Sequence, residues 1–399
     1  MNILIVMDGV LPHPRIERTI ITLQELGHKI FLFSIQYSKS SVVSEKLNLK
    51  HFEIKAPKLI NKISALSFSI DIYSNYFVEN IKNVIKNHNT DLLLVNNIII
   101  ARAVLRANKN FNLPTILDVH ENYASISRHY PRFNKLISKL LISNKSVNDV
   151  QRKIYSKFDK IIFVTKEAAE YSIKYENVLR NKATVLTNTV HPNLYLNYKV
   201  NNHFKNKFKN SFTLLYLGDL GLRRGLKFII LSLSEIVKEY KNIKLVLVGA
   251  SNEKSILKKM VKNLELEKNV DFEGWKEESL FPSYINASDI CLCPLNKNNH
   301  HNTTHANKLF QYMAGSRPIL ASDCNSQKIL INKTNSGLIY KENDNNDFMN
   351  KFRSLYESKE LRKNLGKNGL KAVNNEFSWH NQSQKFLKLI TSFSNKTKV

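Results

Sequence analysis

The chain has 399 residues, 43% of them apolar, and a formal net charge of +27. That length exceeds what one hydrophobic core normally holds, and the apolar fraction rules out a disordered chain, so two globular domains are expected. Only three cysteines, Cys291, Cys293 and Cys324, are present. They speak against a disulfide framework or a cysteine metal cluster, and no uncharged apolar run reaches the ~18 residues of a transmembrane helix.

In chain order, ILIVM at 3–7 reads as a buried strand; it lacks the basic flank and cleavage site of a signal peptide. PRIERTIITLQEL at 14–26 has helical spacing, with Pro14 early and Gly27 just past its end. There follow a strand KIFLF at 29–33, a helix around 75–87, a strand DLLLVN at 91–96, a helix at 98–108 and a strand PTILDV at 114–119. A basic helical stretch over about 131–157 leads to a strand DKIIFV at 159–164, with Thr165 placed to cap the next helix. KATVLTN at 182–188 closes this half. Near-continuous apolar strands separated by helices predict a parallel sheet covered on both faces.

Residues 191–211 are polar and rich in Asn and Lys, the composition of a linker. The pattern then restarts with strands at 212–218, 243–249, 269–275, 289–295 and 317–322. Helices are expected from about 225, after 249, from about 305, over 345–375 and over 378–393. ICLCP at 290–294 reads as a buried strand in which cysteine is a small hydrophobe, consistent with a reducing cytosol. The expected fold class is α/β: two Rossmann-like doubly wound domains, 1–190 and 212–375, facing each other across a cleft. Residues 376–399 would form a last helix packing back on the N-terminal domain.

In doubly wound sheets ligands bind beyond the carboxyl ends of the strands. Two loops stand out there. In YLGDLGLRRGLKFII, Gly218 and Gly221 permit a tight turn whose amides can approach an anion, Arg223 and Arg224 supply guanidinium donors, and a helix opens near Gly225. The plain alternative is an ordinary strand–helix connection with a solvated charge pair. In HNTTHANKLFQYMAGSRPILAS, Lys308, next to Asn307, falls in the first turn of a helix, where its charge opposes the helix dipole unless an anion offsets it. Two anion-seeking helix N-termini in one domain suit a diphosphate and its nucleoside. His300, His301 and His305 have no interleaved cysteine or acid, so no metal site is read there. DNND at 344–347 reads as a turn whose Asp caps a helix.

The basic stretch 128–158 carries Leu136, Ile137, Leu140, Leu141 and Ile142. Such a helix can lie on an anionic membrane, but packing its apolar face on the sheet is the commoner arrangement. The net positive charge is spread along the chain, and with no base-reading element in sight nucleic acid is not an expected partner.

KLFQYMAGSRPILAS, with GDLGLRRGL upstream and VDFEGW and YINASDICLCPL between them, resembles the nucleotide-sugar-binding half of the family-4 retaining glycosyltransferases of GT-B fold, over roughly 212–340. ILDVHEN at 116–122 resembles the strand-end histidine loop of that family's N-terminal half. The resemblance implies that Gly218, Arg224 and Gly225 form a Gly-x5-Lys/Arg-Gly loop against the donor diphosphate. Asp219 stands where the family usually has an arginine, and Arg223 is the candidate replacement. Lys308, flanked by Asn307 and Leu309, would belong to the donor site; Gln311 and Thr303 stand at the two glutamates of Glu-x7-Glu, and Gln311 would hold the ribose. Asn188 would sit beside the donor just before the linker. His120 would face the donor sugar as an orienting group, since no carboxylate at fixed spacing marks it as a general base.

The implied function is transfer of a sugar, with retention, from a nucleotide-diphosphate donor to a cell-surface glycan or lipid-linked acceptor. His120, Arg224 and Lys308 would be catalytic, with no metal or cofactor beyond the nucleotide-sugar substrate. The location would be cytoplasmic, with peripheral contact on the inner face of an anionic membrane. Two rivals on the same fold are a nucleotide-sugar epimerase and a non-catalytic subunit supporting a glycosylating partner, the latter favoured by the Thr303 and Gln311 replacements.

Overall fold

The computed structural model describes residues 1–37, 40–43, 47–63, 72–120, 122, 144–190 and 198–394. The chain divides into two compact units, Met1–Thr187 with Ser383–Val399, and Asn188–Gln382.

In the first unit, β1 (Asn2–Met7), β2 (Lys29–Gln36), β3 (Lys50–Lys55), β4 (Leu92–Asn96), β5 (Thr115–Val119), β6 (Lys160–Phe163) and β7 (Ala183–Val185) form one sheet in the order β3-β2-β1-β4-β5-β6-β7. All its pairings are parallel. The Ile, Leu and Val runs of β1, β2 and β4 are buried on both faces, as a covered parallel sheet requires. Its helices include Pro14–Glu25, Ile72–Asn87, Ile98–Ala107, Asn144–Lys157 and Lys166–Tyr175. Thr165 caps the last of these, its hydroxyl accepting from the Ala168 amide at 3.0 Å. β3 was not expected. As an edge strand, KHFEIK is only half buried and polar, so it lacks the apolar run that reveals a central strand.

In the second unit, β8 (Phe212–Leu217), β9 (Ile243–Val248), β10 (Val270–Gly274), β11 (Ile290–Cys293), β12 (Ile319–Ser322) and β13 (Gly337–Tyr340) lie in the order β10-β9-β8-β11-β12-β13, again all parallel. Alternate residues of β8 and β9 divide between two cores. Leu215, Leu217, Val246 and Val248 face one, and Leu214, Tyr216, Leu245 and Leu247 face the other. That two-sided burial is the physical content of the doubly wound expectation, and the α/β fold class holds for both sheets.

Within 191–211, residues 198–211 are described and include a short helix, Asn202–Lys207. Of the basic stretch, the helix Asn144–Lys157 buries Val147, Ile154 and Tyr155 in the core of the first unit. Leu136, Ile137, Leu140, Leu141 and Ile142 lie outside the described residues. Among the described residues no helix is long and apolar enough to cross a membrane.

Strand order reverses beside β1 in the first sheet and beside β8 in the second. Crevices at the carboxyl ends of the strands open at such switch points, so each unit has one favoured place for a ligand. In the first it lies past β1 and β4, in the second past β8 and β11.

Candidate functional site

In the second unit, the turn after β8 is shaped by glycine. Gly225 has φ +75°, and a Cβ there would come within 1.6 Å of the Pro294 carbonyl oxygen past β11. Gly249, at φ +152°, would drive a Cβ to 1.8 Å from the Gly218 oxygen. Only glycine lets these strand-end loops close on one another. A 3-10 turn, Leu222–Arg224, leads into the helix Leu226–Glu239.

The sequence offers the loop amides and both arginines to phosphate; in the structure they face the protein's own carboxylates. Asp219 accepts from the Gly221 amide at 3.0 Å and from Arg224 Nε at 3.2 Å, and lies 3.4 Å from an Arg223 nitrogen. Glu253 accepts from the Leu222 amide at 2.8 Å. Asp219, directly after the turn glycine, is near enough to reach the Gly221 amide and both arginines.

Lys308 is the exception. It lies in the helix Asn307–Ala314, which is pinned to the sheet by Tyr312, whose hydroxyl accepts from the Leu217 amide at 2.9 Å and donates to the Leu292 carbonyl at 3.3 Å. Only 8% of Lys308 is exposed, and its ammonium has no hydrogen-bond partner among the described residues. The ammonium sits 3.4 Å from the centroid of the Tyr216 ring, and 3.4 Å from where a Cβ on Gly218 would be. The ring face offsets part of the cost of burying the charge. Burial pulls the Lys308 pKa down from 10.5 to about 7, and Arg224 and Arg223 add to the drop.

Gly218, Arg223, Arg224, Gly225 and Lys308 are thus brought together. The remaining donor-site candidates are placed differently. Asn188 Nδ2 donates to Asn307 Oδ1 at 3.1 Å, so those two meet. Gln311 is buried and donates to Glu278 at 3.1 Å. The Thr303 hydroxyl donates back to the Asn299 carbonyl at 2.7 Å within its own short helix. Leu309 is fully buried in the core, with its amide on the Ala306 carbonyl, so neither its side chain nor its N–H is open to a ligand. His301 Nδ1 lies 2.6 Å from the Asn296 carbonyl oxygen. Among the described residues no three His, Cys, Asp or Glu side chains are grouped to hold a metal ion.

In the first unit, His120 directly follows β5. Sequence reasoning found no carboxylate for it, but there is one: Asp118 Oδ2 lies 3.0 Å from His120 Nε2. Asn96, paired with Asp118 across β4 and β5, places its amide nitrogen 3.1 Å from the same ring nitrogen. Behind Asp118 stands Arg15, only 1% exposed, forking onto both carboxylate oxygens at 2.8 Å. Its third bond goes to the Leu186 carbonyl at 3.1 Å. Burial alone would raise the Asp118 pKa, but Arg15 and His120 outweigh it and hold the carboxyl well below its usual range. His13, which caps the helix Pro14–Glu25, brings its ring centroid to 5.9 Å from that of His120. Burial, then the neighbouring His120, lowers its pKa to about 4, so it is neutral at pH 7.

A signal for Asp118 was available. Two positions apart at a strand end, D-x-H directs both side chains to one side. Arg15 carried none, because 103 residues separate it from Asp118 and a helical arginine ordinarily reads as surface.

The Glycosyl transferases group 1 family matches residues 199–372, and Glycosyltransferase Family 4 matches residues 15–194. An uncharacterized glycosyltransferase of Methanocaldococcus jannaschii is 23% identical over 343 residues, spanning 80% of this chain and 88% of that protein. Sucrose-phosphate synthase from Thermosynechococcus elongatus superposes with a TM-score of 0.80 at 14% identity, over 99% of this chain and 100% of that one. Anabaena HepE in complex with UDP superposes with a TM-score of 0.74 at 15% identity, over 98% of this chain and 100% of that one. The chain belongs to the family-4 glycosyltransferases and has their GT-B fold.

Proposed function

Proceeding from that membership, we propose that the second unit holds a nucleoside-diphosphate sugar, while His120 of the first unit faces the sugar being moved. The observation that carries this is the buried ammonium of Lys308, which lies beside Gly218 and has no hydrogen-bond partner among the described residues. A diphosphate at that place supplies the missing counter-charge, with Arg224 and Arg223 shared between it and Asp219. As the bond from sugar to diphosphate breaks, negative charge grows on the departing oxygen. Preorganised cations in a water-poor site stabilise that charge more than the ground state. Those cations are Lys308 and Arg224, and we take the reaction to need no metal ion. Gln311 accepts a ribose hydroxyl through its amide oxygen while its nitrogen stays on Glu278. Support for the donor class comes from HepE, which binds UDP.

The acceptor we propose is a cell-surface glycan or lipid-linked glycan, and the transfer retains configuration, as the family resemblance implies. The net charge of +27 supports peripheral contact with an anionic membrane, where a lipid-linked acceptor would be met from the cytoplasmic side.

The test is thermal stabilisation of the purified protein by a panel of nucleoside diphosphates and nucleotide sugars, with and without EDTA. Selective stabilisation by one nucleotide, unaffected by EDTA and lost in both Lys308→Ala and Arg224→Ala, is expected. No stabilisation of the wild type by any of them would refute the donor site.

A further inference from the structure

We propose that Arg15 and Asp118 are positioning residues that fix the tautomer of His120, keeping its proton on Nε2 and leaving Nδ1 as the nitrogen that accepts from a sugar hydroxyl. The role given to the hydroxyl rests on the reading above that His120 faces the sugar. The tautomer itself does not.

His120 Nε2 has two close neighbours, the Asp118 carboxylate at 3.0 Å and the Asn96 side-chain amide at 3.1 Å. They constrain it unequally. An ionised carboxylate can only accept, so the Asp118 contact is a hydrogen bond only when Nε2 carries the proton. An asparagine amide presents nitrogen or oxygen after half a turn about its last bond, so Asn96 adapts to whichever the ring requires. In a neutral imidazole, a proton on Nε2 leaves Nδ1 as the acceptor. Among the described residues no hydrogen bond reaches Nδ1.

Arg15 makes the arrangement one-way. A carboxyl group only 4% exposed, facing a histidine alone, tends to take up a proton, and a protonated acid could donate to Nε2 and reverse the tautomer. The bidentate guanidinium holds Asp118 as the anion with both oxygens fixed. Among the described residues, His13 and Arg15 are the other ionisable groups beside the pair. His13 is neutral, its Nδ1 accepting from the Ile16 amide at 3.4 Å, so it brings no competing positive charge to the His120 ring. Asp118 and Asn96, from the ends of β5 and β4, thus meet on one imidazole, with Arg15 from the start of a helix behind Asp118.

The tautomer is read directly from long-range 1H–15N correlation spectra of the whole protein labelled with 15N-histidine, with His120 assigned by His120→Gln. The wild type is expected to carry the proton on Nε2. In Asp118→Asn the Nδ1–H form should rise to roughly half of the neutral population or more, because the obligatory acceptor is gone. Leaving Arg15 buried without its partner is a folding hazard. The Arg15→Met/Asp118→Leu double variant removes both charges and should show the same loss of preference. In any folded variant, kcat for hydrolysis of the nucleotide sugar that best stabilises the protein should fall at least roughly tenfold, with KM nearly unchanged. An Nδ1–H tautomer in the wild type, or an Nε2–H preference surviving in the folded variants, would overturn the proposal. The spectra need no substrate, so failure of donor binding at Lys308 would leave their answer standing.

Discussion

At the scale of single residues, Lys308 ties the proposed donor site to a measurable proton. Its pKa near 7 in the folded chain lies below the ordinary 10.5, so between those values the unfolded state binds more protons than the folded one. By linkage, stability of the nucleotide-free protein should gain from this group as pH rises through that window and lose as it falls towards 7. A bound diphosphate reverses the shift by favouring the ammonium. Binding at pH 8 should therefore take up close to one proton, about 0.9, measured by titration calorimetry in buffers of different ionisation enthalpy. Uptake near zero would mean that the diphosphate does not touch Lys308. Lys308→Met keeps the packing and deletes the buried charge. It should raise the stability of the nucleotide-free protein, on the order of 1–4 kcal/mol by urea unfolding, while abolishing stabilisation by nucleotide.

At the scale of elements, the site depends on how closely strand ends approach. Gly225→Ala places a carbon on top of the Pro294 carbonyl and forces a left-handed φ on alanine. We expect a loss of about 3 kcal/mol or more in urea unfolding, together with weakened nucleotide binding, because the turns after β8 and β11 must part. A stability loss below ~1 kcal/mol would show that the two turns yield to one another freely. Capping is a milder matter: Thr165→Ala should cost about 1 kcal/mol by the same measurement, with no effect on nucleotide stabilisation. The central strands were legible in the sequence because burial on both faces demands continuous apolar runs. β3 and the four-residue β13 were not. Both are edge strands that face solvent in part, and GLIY has no further apolar residues beside it to mark a strand.

At the scale of the molecule, two units with separate apolar cores should not unfold as one. Calorimetry is expected to resolve two transitions, of which nucleotide raises only the one belonging to residues 188–382. A single transition shifted as a whole would contradict this. The excess of lysine acts at the same scale. If it serves membrane contact, the protein should bind vesicles of phosphatidylglycerol and phosphatidylcholine at low ionic strength and leave them at about 0.5 M salt, where screening is nearly complete beyond a few ångströms. Vesicle binding that survives such salt would instead point to insertion of apolar residues.

The sequence by itself determined the class of fold, the restart of the pattern near residue 212 and the loops in which Gly218, Arg224, Lys308 and His120 stand. These follow from local rules: apolar runs between helices, glycine where the backbone turns back, chemistry at the carboxyl ends of strands. Tertiary structure alone decided what those residues touch. That Asp219 and Glu253 accept from the loop amides, that Lys308 has no hydrogen-bond partner among the described residues, and that Leu309 belongs to the core all depend on side-chain directions, which spacing does not fix. The support of His120 by Asp118 and Arg15 is the clearest instance. The guanidinium and the carboxylate lie 103 residues apart, and only the parallel order of β1, β4 and β5 brings the helix after β1 to the end of β5.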